Sequence, residues 1–221
     1  MNFQKIILIS SFLAIPINSA LGMKYVPCIN QPEKLETRSL EIQKLEQEDQ
    51  LERENWEKFT EDDWDNLAKK DRKRRKRIGE IFGEGCFHSA KDYGNAALIY
   101  QHGDMPEHYY QAFIWANKAA SLGDSHIKNL AALAIDRYLI SLNKKQLFGS
   151  QATKKSFDNE CYCMEPVEPS FPDSYRIEYA GFSLQDKISW VNSLNQGKNC
   201  PALECTTNLE PSPQGTVPGF W

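Results

Sequence analysis

The chain has 221 residues, a formal net charge of −4 and six cysteines. That length allows one domain, or one domain with extensions. The mild acidity argues against a polyanionic partner recruited by overall charge, and no apolar stretch beyond the N-terminus reaches membrane length.

The chain opens MNFQKIILISSFLAIPINSALGMKY. Lys5 precedes an apolar run from Ile6 to Ile15, Pro16 breaks it, and Ala20 and Gly22 stand two apart. This charged, apolar, small-residue order predicts a secretory signal peptide over residues 1–22, cut after Gly22 or Ala20. An uncleaved anchor is the alternative. The expected location is secreted or periplasmic, with no membrane span in the mature chain. In an exported protein Cys28, Cys86, Cys161, Cys163, Cys200 and Cys205 read as disulfides. Cys161 and Cys163 stand too close to pair with each other. Cross-pairing among the last four is therefore expected, with Cys28 and Cys86 as a candidate third bond. Zinc held by the last four is the rival, but Cys-x-Cys with Cys-x4-Cys departs from the usual ligand spacing.

Residues 33–79 are densely charged and almost free of Gly and Pro, which predicts a long helix or a helix pair. Leu35, Ile42 and Leu45 have heptad spacing, yet Asp49 and Glu52 fall on the same seam, against a sustained coiled coil. Trp56, Phe59 and Trp64 are expected to pack this segment onto the body. In KKDRKRRKR, Lys69 to Arg77, only Asp71 is not basic. Alone this run suggests nucleic acid. The export signal and the acids upstream favour a solvated helix face whose bases answer those acids.

Residues 80–151 form the expected helical core. Tyr93, Ala96, Ala97 and Tyr100 share one helix face. HGDMPE is a turn with Gly103 and Pro106 as punctuation; Asp104 is the expected cap and Pro106 opens the next helix. Tyr109, Ala112, Phe113, Ala116, Ala119 and Ala120 line the second helix until Gly123 ends it. Asp124 or Ser125 should start a third helix from His126 to Leu142. Residues 152–205 read as Cys- and Pro-bearing loops with one helix. Residues 206–221, with three prolines, read as a disordered tail.

The stretch DYGNAALIYQHGDMPEHYYQAFIWANKAASLGDS resembles one Sel-type tetratricopeptide-like repeat. Ala97, Tyr100, Gly103, Ala112, Trp115, Lys118, Ala119, Ala120, Gly123 and Asp124 fall where that pattern places them. There is no second full copy, so no solenoid is implied. A wider resemblance, over roughly residues 45–195, is to a bacterial family catalogued as domain of unknown function 6624. It rests on Gln101, His102 and Asp104, then Asp136 and Arg137, then Gln146, Phe148, Gly149, Ser150 and Gln151. Ser150 stands where threonine is usual and keeps the hydroxyl. This resemblance implies a fold and a site location but no activity.

Asp136 and Arg137 are adjacent charges on an otherwise apolar helix. Each needs a partner if buried, because an unpaired buried charge costs several kcal/mol or more. The expectation is that His102 and Asp104 meet Asp136, Arg137 and the Gln146–Gln151 exit at one end of the bundle. Arg137 has carbonyls at a helix end or another acid within reach; Asp136 has His102, Gln151 or backbone N–H groups.

Three readings of this constellation compete. One is a structural network; one is a ligand or catalytic pocket using Gln101, His102, Asp104, Asp136, Arg137, Gln146, Ser150 and Gln151. The third is a His102/Asp104/Asp136 metal site, which lacks supporting spacing. His88, His108 and His126 read as surface or capping residues. Nothing local marks Ser150 as an activated nucleophile.

The expected fold is mainly α, a small bundle around the tetratricopeptide-like hairpin with a loop-rich, disulfide-bearing C-terminal extension. The expected function is an exported binding or interaction module for a protein or small molecule, with a polar cleft at the Gln146–Gln151 end. Tyr109, Tyr110 and Trp115 are candidates for an aromatic binding patch. The alternative is a hydrolase-like enzyme using His102 and Asp136, with Arg137 as a further candidate. No cofactor is implied.

Overall fold

A computed structural model describes residues 27–156, 159–200, 205 and 207–221. The expected signal peptide, residues 1–22, lies outside the described residues. The protein is mainly helical, with one small two-stranded sheet. The charged segment is a helix pair, α1 (Pro32–Leu51) and α2 (Glu61–Gly83), rather than one rod. The core helices are α3 (Ala90–Gln101), α4 (Pro106–Ser121) and α5 (Lys128–Ser141). A hairpin of β1 (Ala152–Ser156) and β2 (Asn159–Met164) follows, then α6 (Asp173–Ala180) and α7 (Leu184–Leu194). The 152–205 segment thus holds two helices and a hairpin where one helix was expected. Antiparallel pairing sets Thr153 opposite Cys163.

Local chemistry explains the helix starts. Thr60 with Asp63, Ser89 with Asp92 and Ser183 with Asp186 each form a reciprocal capping box at the start of α2, α3 and α7. Pro106 opens α4 as expected, but Asp104 does not cap it. Its carboxylate is drawn instead to Arg75, 2.8 Å away, because a guanidinium is a stronger donor than a lone amide. A short 3-10 turn, Ser125–Ile127, leads into α5, and neither Asp124 nor Ser125 supplies a side-chain cap.

α4 packs against both α3 and α5, and α1 and α2 close over α3. Ala96, Ala97, Ala112, Ala116, Ala131, Ala132 and Ala134 are all fully buried, so the helix backbones approach closely. Ile42 from α1 and Ile78 and Ile81 from α2 are equally buried, which makes the charged pair part of the core. Phe82, Phe87, Tyr100 and Trp115 fill the wider gaps edge-on.

All six cysteines are paired: Cys28–Cys86, Cys161–Cys200 and Cys163–Cys205. The cross-pairing expected of the last four is present, and these thiols are engaged with each other rather than with zinc. Cys28–Cys86 ties the entry of α1 to the end of α2; the other two fasten β2 to the C-terminal loops.

The C-terminal segment corrects the expectation of disorder. Leu209, Ser212 and Val217 are buried. Lys145 N–H donates to the Glu210 carbonyl at 2.8 Å, and Glu210 N–H to the Asn143 carbonyl at 2.9 Å. Phe220 packs edge-on against Tyr179 and Phe113 and tilted against Phe148, and Trp221 Nε1–H donates to the Ser212 carbonyl. Composition suggested a solvated tail, but two terminal aromatics bring enough apolar area to anchor a proline-rich strand.

Candidate functional site

Asp136 and Arg137 lie two-thirds of the way along α5 and part in different directions. Asp136 is fully buried and turns to the chain that follows the helix. Its Oδ1 accepts from Leu147 N–H (2.8 Å) and Phe148 N–H (2.9 Å). Its Oδ2 accepts from Ser150 N–H (2.9 Å) and Ser150 Oγ–H (2.8 Å). Burial pushes this carboxyl up from its ordinary range, and the donors from Phe148, Ser150 and Leu147 pull against that. The turn depends on Gly149, whose φ of +73° suits glycine and whose missing Cβ leaves room for the Leu184 side chain. The Gln146 side chain donates to the carbonyls of Glu165 and Gln151 and accepts from Gln151 N–H. Gln146, Asp136 and Ser150 are therefore committed to holding the exit loop, and Ser150 Oγ–H points at a carboxylate rather than at a base.

Arg137 turns the other way. Its Nη1–H donates to the Gln101 carbonyl at 2.7 Å, at the C-terminus of α3, and its Nε–H to Gln151 Oε1 at 3.3 Å. Its guanidinium lies 5.7 Å from the centre of the Tyr109 ring. Among the described residues no carboxylate pairs with it. Burial pulls its pKa down, Tyr109 raises it, and the charge of Arg53 lowers it again. It remains a cation at any physiological pH.

Arg137 forms part of a cleft of about 510 Å³ with Arg53, Trp56, Trp64, Leu67, Ala68, Asp71, Arg75, His102, Gly103 and Asp104 around it. His102 Nδ1 lies 2.9 Å from Oδ2 of Asp49, a fully buried acid on α1. Desolvation pushes Asp49 up, but the bond to His102 and the charges of His102 and Arg53 outweigh it and hold it below the usual range. Arg53 bridges Asp49 and Asp71; Arg74 joins Asp71 and Glu52. Arg75 donates to the His102 carbonyl and to Asp104, while its Nε has no partner. Within the basic run 69–77, Lys70 and Arg74 pair with Glu52, Arg77 with Glu41 and Arg75 with Asp104.

Of the expected constellation, Arg137 shares the cleft with His102 and Asp104, whereas Asp136 turns away from it to the exit loop. His102 pairs with Asp49 and Asp136 with the exit loop, so His102 and Asp136 make no direct bond. Among the described residues, no group of three His, Cys, Asp or Glu side chains is placed to hold a metal ion. Gln101 contributes its carbonyl, while its buried side-chain Oε1 has no partner. Of the aromatic candidates, Tyr109 flanks Arg137 and donates its hydroxyl to Gly103, Tyr110 stacks on Tyr138, and Trp115 is buried.

Sequence reasoning missed Asp49, Arg53, Arg75, Trp56 and Trp64 as site residues. One signal was present. Asp49 falls on the apolar seam of α1, and an acid in a buried position needs cations around it. Trp56 and Trp64, expected to pack inward, are 47% and 46% exposed.

Fold and site together describe a disulfide-braced, mainly helical protein with a cleft lined by arginines and two tryptophans. Among the described residues no helix is long and apolar enough to cross a membrane. No protein-family model, no curated protein and no solved structure matches the chain.

Proposed function

We propose that this protein is an exported binding module whose cleft takes a small anion on Arg137. The observation that carries this is Arg137 itself, a largely covered cation that faces a cleft and has no carboxylate partner among the described residues. Its carbonyl, amide and aromatic partners leave the full charge without a counter-ion, which is costly in a covered site. Arg53 and Arg75 differ, each having its own acid. Three disulfides and the signal-like N-terminal sequence support export to an oxidising compartment. The Sel-type reading of α3 and α4, and the wider resemblance to domain of unknown function 6624, belong to this proposal on the residues that carry them. The polar cleft lies at the 102–104 turn and reaches the Gln146–Gln151 exit only through Gln151.

The test is a thermal-shift screen of the oxidised protein against small anions and their neutral analogues, repeated with Arg137→Gln. Stabilisation by anions alone, lost in the variant, supports the reading. Equal response to neutral analogues sinks it.

A second reading is hydrolysis in the same cleft, and the Asp49–His102 pair favours it. A buried carboxylate that accepts Nδ1–H leaves Nε2 as a general base towards bound water. Asp49, not Asp136, would be the partner acid. Turnover of an anionic ester or amide that disappears in His102→Gln would support it.

A further inference from the structure

We infer that the ligand of this cleft is a singly charged anion with a flat apolar body, an aromatic or similarly planar monocarboxylate, whose body rests on Trp56 and Trp64. The inference rests on the anion-binding reading above and adds the chemical class.

Charge sets the first limit. The cleft lining carries three guanidinium groups, Arg53, Arg75 and Arg137, against two carboxylates, Asp71 and Asp104. Arg53 also pairs with Asp49 just behind the lining and Arg75 pairs with Asp104, so Arg137 is the one of the three without a carboxylate partner among the described residues. A dianion would bring a second negative charge towards Asp71 and Asp104 with nothing to answer it. Donor geometry agrees. Gln151 takes the Nε–H of Arg137 and Gln101 one Nη1–H, which leaves the second Nη1–H and the two Nη2–H groups, enough for the two oxygens of a carboxylate.

The apolar part sets the second limit. Trp56, Trp64, Leu67 and Ala68 line the cleft between the α1–α2 turn and α2. Both indoles keep nearly half their surface in water, although each lies in a segment fixed by structure. Trp64 is held edge-on by Phe59 at 5.1 Å and sits in the first turn of a capped helix. A hydrated inorganic ion would touch neither ring. A planar apolar group would cover both and release the water over them. The volume, about 510 Å³, suits a ligand well beyond acetate in size.

The test is isothermal titration of the oxidised protein with 1-naphthoate, 1-naphthamide, acetate and inorganic phosphate. Variants are Arg137→Gln and the double variant Trp56→Ala with Trp64→Ala. The expected result is naphthoate binding at least tenfold tighter than acetate or phosphate. The neutral amide should lose about tenfold on the native protein, as should naphthoate on Arg137→Gln. The double tryptophan variant should lose naphthoate affinity and leave acetate unchanged. If acetate or phosphate binds as well as naphthoate and still needs Arg137, the ligand class is wrong while the anion site stands. If no anion binds, or the amide equals the acid, both fail. Arg137 ties α5 to α3; should Arg137→Gln not fold, the acid–amide comparison on native protein decides the charge question.

Discussion

Replacing Asp136 by Asn is the most searching test of how the exit loop is held. The substitution keeps the shape and removes the charge. In the native protein each carboxylate oxygen accepts from two donors at 2.8–2.9 Å. An amide in either flip presents N–H groups where one oxygen stood. With the nitrogen at the Oδ1 position, Leu147 N–H loses its acceptor and Phe148 N–H keeps only the longer contact to the other oxygen. With the nitrogen at Oδ2, Ser150 N–H is orphaned, while the Ser150 hydroxyl can rotate. One or two buried amides are left facing donors, at about 1–3 kcal/mol each. The relief of a buried charge offsets part of this, since burial already pushes the carboxyl up. The net loss should be about 2–4 kcal/mol, or roughly 5–15 °C in Tm for a chain of this size. Guanidinium denaturation followed by circular dichroism measures it. Ser150→Ala, which removes one bond, should cost about 1 kcal/mol. If the Asn variant were as stable as the native protein, the carboxylate would not be the organiser of this loop, and the division of labour between Asp136 and Arg137 would lose its basis.

Two further outcomes follow from the same structure. Replacing Cys28 and Cys86 together by alanine should lower stability by up to about 4 kcal/mol, the chain-entropy value for a 58-residue separation, as read by denaturant midpoint against the oxidised native protein. An unchanged midpoint would mean that the loop is already restricted in the unfolded chain. Acidification should destabilise the α1–α2 layer. Glu41 is held low by its bond to Arg77, Glu84 by its bond to Arg38, and Asp49 by His102 and Arg53 against its burial. Their folded pKa values lie below the unfolded ones, so the unfolded chain binds more protons. The stability they give is full at neutral pH and fades as pH falls from about 4 towards the folded values. Thermal melts from pH 7 to pH 2 should show it, and a flat profile would contradict those pairings.

The sequence by itself determined what depends on neighbours along the chain. Helical spacing of the alanines gave α3 to α5; Pro106 and Gly123 marked the limits of α4. Cysteine spacing argued against a 161–163 bond and favoured cross-pairing of the last four, while the structure decided which of the two cross-pairings forms. Even the adjacent charges of α5 were legible as buried groups in need of partners, and the Arg137 bond to a helix-end carbonyl was among those foreseen. Only the tertiary structure decided which partners they took. Asp136 reaches amides eleven to fourteen residues on, and His102 reaches an acid fifty-three residues back. Such pairings depend on how α1 and α2 fold over α3, which no local period encodes. The tail was misjudged for the same reason. Its prolines are a local property, whereas the groove of Phe113, Phe148 and Tyr179 that receives Phe220 exists only once three separate segments have come together. The cleft is likewise a product of assembly, since Trp56, Arg75, His102 and Arg137 face one space from four different parts of the chain.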